Sequence, residues 1–106
     1  MARHDLTEKD TGRSFPAAPG DLVVVELGET PSSGYRWHLE AVDDHVVAPA
    51  GDAFRTDEGG LGAGGRRQLR FSVVGEGRTT LRLVLRRGWE PDGPVGRRFE
   101  VIFTVR

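Results

Sequence analysis

At 106 residues the chain has the length of a single domain with one modest core. The absence of cysteine excludes disulfide stapling, thiolate metal sites and a cysteine nucleophile. With 15 basic residues against 16 acidic ones, the net charge of −1 provides no global field to draw the chain to nucleic acid or an acidic membrane. All the basic residues except Lys9 are arginine, which reads as codon bias in an Arg- and Gly-rich genome. The first ten residues hold no apolar run, so neither a signal peptide nor a membrane span is expected. A cytoplasmic location is the expectation for the chain as given, although a leader already removed would leave no trace.

Residues 1–20 are polar and then proline-containing, and predict at most one short edge strand. Residues 21–106 predict a single β domain. Asp21 to Leu27 is β-branched, with Val23, Val25 and Leu27 on one face. Tyr35 to Glu40 forms the next strand, with Tyr35, Trp37 and Leu39 sharing a face. Val46 and Val47 support a short strand within Asp43–Pro49, and Gly51 to Gly65 reads as a long glycine-rich loop. Further on, Leu69, Phe71 and Val73 alternate with polar partners, as do Leu81, Leu83 and Leu85. The last strand places Phe99, Val101, Phe103 and Val105 inward. No segment sustains a helical period. Short alternating strands broken by frequent turns predict an all-β, antiparallel, Ig-like β-sandwich of about seven strands.

Between the first two of these strands lies Thr30-Pro31-Ser32-Ser33-Gly34. Proline fixes one φ, glycine frees another, and two hydroxyls can bond nearby backbone, which together predict a stiff turn on a rigid scaffold. Residues 60–65 match Gly-x-Gly-x-x-Gly in form, but they run into a strand where a phosphate site needs a helix. His4, His38 and His45 have no metal-ligand spacing. Ser32 and Ser33 sit in no nucleophile elbow. No cofactor and no catalysis are expected. Trp37 falls on a core parity, whereas Trp89 lies in a loop that no alternation claims, where tryptophan and arginine suit an interface anchor.

These loops together resemble the chagasin family of cysteine peptidase inhibitors. Its Asn-Pro-Thr-Thr-Gly loop is similar to Thr30 through Gly34, followed here by Tyr35 and Trp37. Its Gly-x-Gly-Gly loop is similar to Gly62, Ala63, Gly64 and Gly65, and its Arg-Pro-Trp loop to Arg87, Gly88 and Trp89. The closing Phe-x-Val strand is similar to Phe99-Glu100-Val101. The resemblance implies a monomeric Ig-like domain whose three loops wedge into the cleft of a papain-like peptidase, with no membrane or nucleic acid partner. Pro31 to Gly34 would then lie nearest the catalytic cysteine, with the glycine loop and Trp89 on either side.

Four positions depart from the family pattern: Thr30 for Asn, Ser32 and Ser33 for threonines, and Gly88 for Pro. If residue 88 has φ near the roughly −65° that proline requires and its N–H is free, restoring proline there should tighten binding by restricting the loop. A retargeted Ig-like module that recognises another protein or a glycan is the alternative reading. A nucleic-acid surface built on Arg66, Arg67, Arg97 and Arg98 is a third.

Overall fold

The computed structural model describes residues 1–56, 64–89 and 93–106. Among these residues eight strands form two four-stranded sheets: β1 (Arg3–Leu6), β2 (Ser14–Ala17), β3 (Leu22–Glu29), β4 (Tyr35–Ala41), β5 (Val47–Thr56), β6 (Gly65–Val73), β7 (Gly77–Arg87) and β8 (Arg97–Val105). One sheet has the order β1-β3-β6-β5 and the other β2-β8-β7-β4. The inward alternation read from the sequence is the core. Val23, Val25 and Leu27 of β3 and Phe71 and Val73 of β6 face Leu81, Leu83, Phe99, Val101 and Phe103 across the sandwich. Burying each of these side chains stabilises the fold by roughly 1.5–3 kcal/mol, which selects the register, because a one-residue slip would turn the whole set to solvent.

The N-terminal segment differs from expectation. It supplies two strands, and both pair in parallel, β1 with β3 and β2 with β8. Each is only four residues long and contributes few apolar groups (Leu6 buried, Phe15 and Ala17 half-buried), too few for an alternation to register in the sequence. Asp21 fastens this segment. Its buried carboxylate accepts from the Ala2 N–H at 2.9 Å and the Ala18 N–H at 3.0 Å, and meets His4 Nε2 at 2.9 Å. The His4 contact, followed by those two N–H groups, holds the Asp21 carboxyl far below the ordinary carboxylate range.

Two further corrections concern the second and third strand regions. β5 runs on to Thr56, well into the stretch read as loop. It is an edge strand with Val47 as its one buried residue and a register shift between Pro49 and Gly51, so no period-2 pattern marks it. Leu39, expected inward with Trp37, is 39% exposed. β4 is also an edge strand, and its pairing shifts between Leu39 and Ala41, turning that end away from the core.

Candidate functional site: one end of the sandwich

The strand directions bring the connections β3–β4, β5–β6 and β7–β8 to the same end. The first is a crossover from one sheet to the other. Pro31–Ser33 form a single 3-10 turn with proline at its start, where a missing N–H costs nothing. The Ser33 and Gly34 N–H groups close it on the carbonyls of Thr30 and Pro31, both at 3.0 Å. Ser33 Oγ donates to the Thr30 carbonyl at 2.6 Å and accepts from the Tyr35 N–H at 3.2 Å, so this hydroxyl ties both flanks of the turn. Gly34 has φ +79°, the left-handed region, and a Cβ there would collide with the six-membered ring of Trp89.

Trp89 therefore abuts Gly34 with the Cζ3–Cη2 edge of its ring while 66% of its surface stays exposed. The Gly88 N–H donates to the Gly34 carbonyl at 3.1 Å. The Arg87 guanidinium lies 5.3 Å from the Tyr35 ring centre and 5.9 Å from that of Trp89, bridging the two rings by cation–π attraction. Glycine at 88 is thus no loosened proline site. Its N–H is spent on the neighbouring loop, and the expected benefit of proline is overturned. Gly64 approaches Thr30 closely, its Cβ position lying 3.3 Å from Thr30 Oγ1. At Gly65 a side chain would strike the Arg55 carbonyl and the Phe54 ring, so this glycine serves strand packing. Gly62 and Ala63 lie outside the described residues. Thr30, Ser33, Tyr35, Gly64, Leu85 and Arg97 line part of an open depression of about 590 Å³ between the sheets at this end.

Beneath the turn lies a polar stem that the sequence reading missed. A crossover between sheets has no ladder bonds of its own, and side chains replace them. Glu29, 4% exposed, accepts from the Trp37 N–H at 3.0 Å and from Arg67 at 2.7 Å. Trp37 Nε1–H donates to the Gly28 carbonyl at 2.9 Å, and the Gly28 N–H donates to the Glu8 carboxylate at 2.6 Å. Arg67 also meets Asp52 at 2.8 Å, and Arg66 meets Glu8 at 3.3 Å. Partial burial pushes the Glu8 carboxyl up, but the Gly28 N–H and the Arg66 charge outweigh it, and the group sits below its usual value. A signal was present in the sequence. Glu29 continues the inward parity of Val23, Val25 and Leu27, and Arg67 that of Leu69, Phe71 and Val73. Charges on core parity demand partners.

The residues proposed for nucleic acid divide differently. Arg66 and Arg67 are committed to these carboxylates, and Arg97 lies 5.9 Å over the Trp37 ring. His4 belongs to the Asp21 cluster, His38 is exposed on β4, and His45 sits with Asp43 and Asp44 on the surface at the far end.

The architecture and the loop end define a class, and comparison with known proteins gives it a name. Residues 17–103 match the family described as Chagasin family peptidase inhibitor I42, and the chain belongs to that family. Chagasin from Trypanosoma cruzi is 26% identical over 103 residues, covering 92% of this chain and 94% of that one. Among solved structures, the cysteine protease inhibitor EhICP2 from Entamoeba histolytica superposes with a TM-score of 0.88 at 25% identity, covering 99% of this chain and 96% of that one. PbICP-C, solved in complex with falcipain-2, has the same fold, with a TM-score of 0.71 at 12% identity over 97% and 99% of the two chains.

Proposed function

We propose that this protein is a reversible inhibitor of papain-like cysteine peptidases and not itself an enzyme. The observation that carries the reading is the locking together of the Pro31–Ser33 turn and the Trp89 loop at one end, through the Gly34–Trp89 contact and the Gly88 hydrogen bond. Loops already fixed to each other lose little freedom on docking, so a standard interface of about 1,600 Å² can bind tightly. The family membership and the similarity to EhICP2, a cysteine protease inhibitor, support cysteine peptidases as the target class.

The turn also offers a physical reason for inhibition without cleavage. A scissile peptide bond must be laid out with its carbonyl carbon about 3–3.5 Å from the nucleophile. A 3-10 turn closed by three hydrogen bonds and a left-handed glycine folds the chain back, away from that extended geometry. In this reading Pro31 to Gly34 occupies the catalytic centre, Gly64 lies against one wall, and Trp89 packs against the other.

The test is a titration of purified protein against a panel of papain-like enzymes, with a serine peptidase and a metallopeptidase as controls. Competitive inhibition that is reversed on dilution, with the inhibitor recovered intact, is the expected result. A panel left fully active at micromolar protein would sink the proposal.

A further inference from the structure

The outer face of β4, β7 and β8 changes character along its length. Pairing sets Arg82 opposite Glu100, Val84 opposite both His38 and Arg98, and Arg86 opposite Arg36. Away from the loops the charges are matched: Arg82 meets Glu100 at 2.8 Å and Glu40 at 3.5 Å, and Arg86 meets Glu40 at 3.0 Å. Toward the loop end the matching stops. Arg36 and Arg98 are exposed, and neither has a carboxylate partner among the described residues. Arg36 follows Tyr35 directly after the turn, and Arg98 lies diagonally across the ladder from Arg86. Like charges directly opposite in a sheet are unfavourable, so Arg36 facing Arg86 gives the fold nothing.

We infer that Arg36 and Arg98 form a basic shoulder continuous with the three-loop edge, which docks on acidic side chains at the rim of the target's cleft. The inference rests on the inhibitor reading and adds a selectivity to it. With a net charge of only −1, the molecule as a whole steers nothing, and a local patch beside the docking edge decides which surfaces it meets productively. Exposed rim charges act chiefly on the association rate and on the choice of partner, because solvent screens them once the complex has formed. A papain-like enzyme with acidic residues around its cleft would be captured fast. One with basic residues there would be captured slowly.

The experiment measures association and dissociation rates against two papain-like peptidases, one chosen for acidic and one for basic side chains around the cleft. Wild type is compared with Arg36→Gln/Arg98→Gln and with Arg78→Gln/Arg106→Gln, an equal charge change at the far end. At about 0.02 M salt the first pair should slow association with the acidic-rimmed enzyme by about five- to tenfold, leaving dissociation nearly unchanged. At about 0.5 M salt, where screening acts over a few ångströms, the difference should vanish. The control pair should track wild type.

Equal association rates at low salt, or an equal loss in the control pair, would overturn the inference while leaving the inhibitor reading standing. Duplex DNA bound by wild type and released by the Arg36/Arg98 variant would assign the patch to nucleic acid and overturn it too. Failure of wild type to inhibit either enzyme at any salt would instead remove the inhibitor reading, and this inference with it.

Discussion

The Gly88 N–H donates to the carbonyl of Gly34 at 3.1 Å, joining the β7–β8 loop to the β3–β4 turn. Neither residue contributes a side chain. The bond nonetheless fixes how far Trp89 reaches across the turn, since Trp89 is the next residue and rests on Gly34.

Gly88→Pro should therefore weaken inhibition. Proline has no N–H to give, and a lost hydrogen bond of this kind costs about 1 kcal/mol, roughly fivefold in the inhibition constant. Gly88→Ala keeps the N–H and places its Cβ in open space, so it should match wild type. Inhibition constants for the two variants on one enzyme decide the point. Tighter inhibition by the proline variant would mean that the bond does not hold the loop.

Gly34→Ala should act through Trp89. Its Cβ would enter the space that the indole occupies, in a backbone region costing a non-glycine residue about 1–2 kcal/mol. The double variant Gly34→Ala/Trp89→Ala should inhibit little worse than Trp89→Ala alone, because the indole whose placement Gly34 permits has already gone. Full additivity in this cycle would show that the two residues act independently.

The two tryptophans should separate binding from stability. Trp89→Ala should cost about 2 kcal/mol or more in inhibition, with little change in the melt, because most of the ring faces solvent. Trp37→Ala should destabilise the fold by about 3–5 kcal/mol, losing a buried ring and the Nε1–H bond to Gly28. Denaturant melts beside inhibition assays give both numbers, and a collapse of the Trp89→Ala melt would contradict the assignment.

Breaking the Glu29–Arg67 pair from one side should destabilise the fold. Glu29→Gln leaves the partly buried Arg67 with only Asp52 as a charge partner, a loss of about 1–3 kcal/mol. Removing both charges, as Glu29→Gln/Arg67→Met, should cost less than the sum of the single losses. Urea unfolding of the four proteins completes the cycle.

Asp21 should give the protein an acid-sensitive component of stability. Its folded pKa is depressed below the unfolded value of about 3.9, so its contribution is fully present above that value and fades as pH falls through it towards the folded pKa. The gap in melting temperature between wild type and Asp21→Asn should narrow progressively below about pH 5. A gap that widens on acidification would show that the carboxylate is not the favoured form in the fold.

The sequence by itself determined the β class, the inward faces of β3, β6, β7 and β8, the turn at Pro31–Gly34 and the loop position of Trp89. Each of these rests on short-range patterning: period-2 alternation, proline and glycine in turns, and an aromatic left outside any periodic run. β1, β2 and the far half of β5 gave no such signal, since edge strands bury too little to impose a pattern and are held by pairing with distant segments. The same limit hid the stem. Glu29, Arg67 and Glu8 are far apart in the chain, and only the crossing of the two sheets brings carboxylates to the N–H groups of Trp37 and Gly28. Tertiary structure likewise decided Gly88. The sequence shows that proline is missing there, but whether the N–H is free depends on Gly34, more than fifty residues away in the chain and 3.1 Å away in space. Local propensity is written in neighbouring residues, whereas the partner of a buried charge or a loop N–H is set by how the whole chain packs.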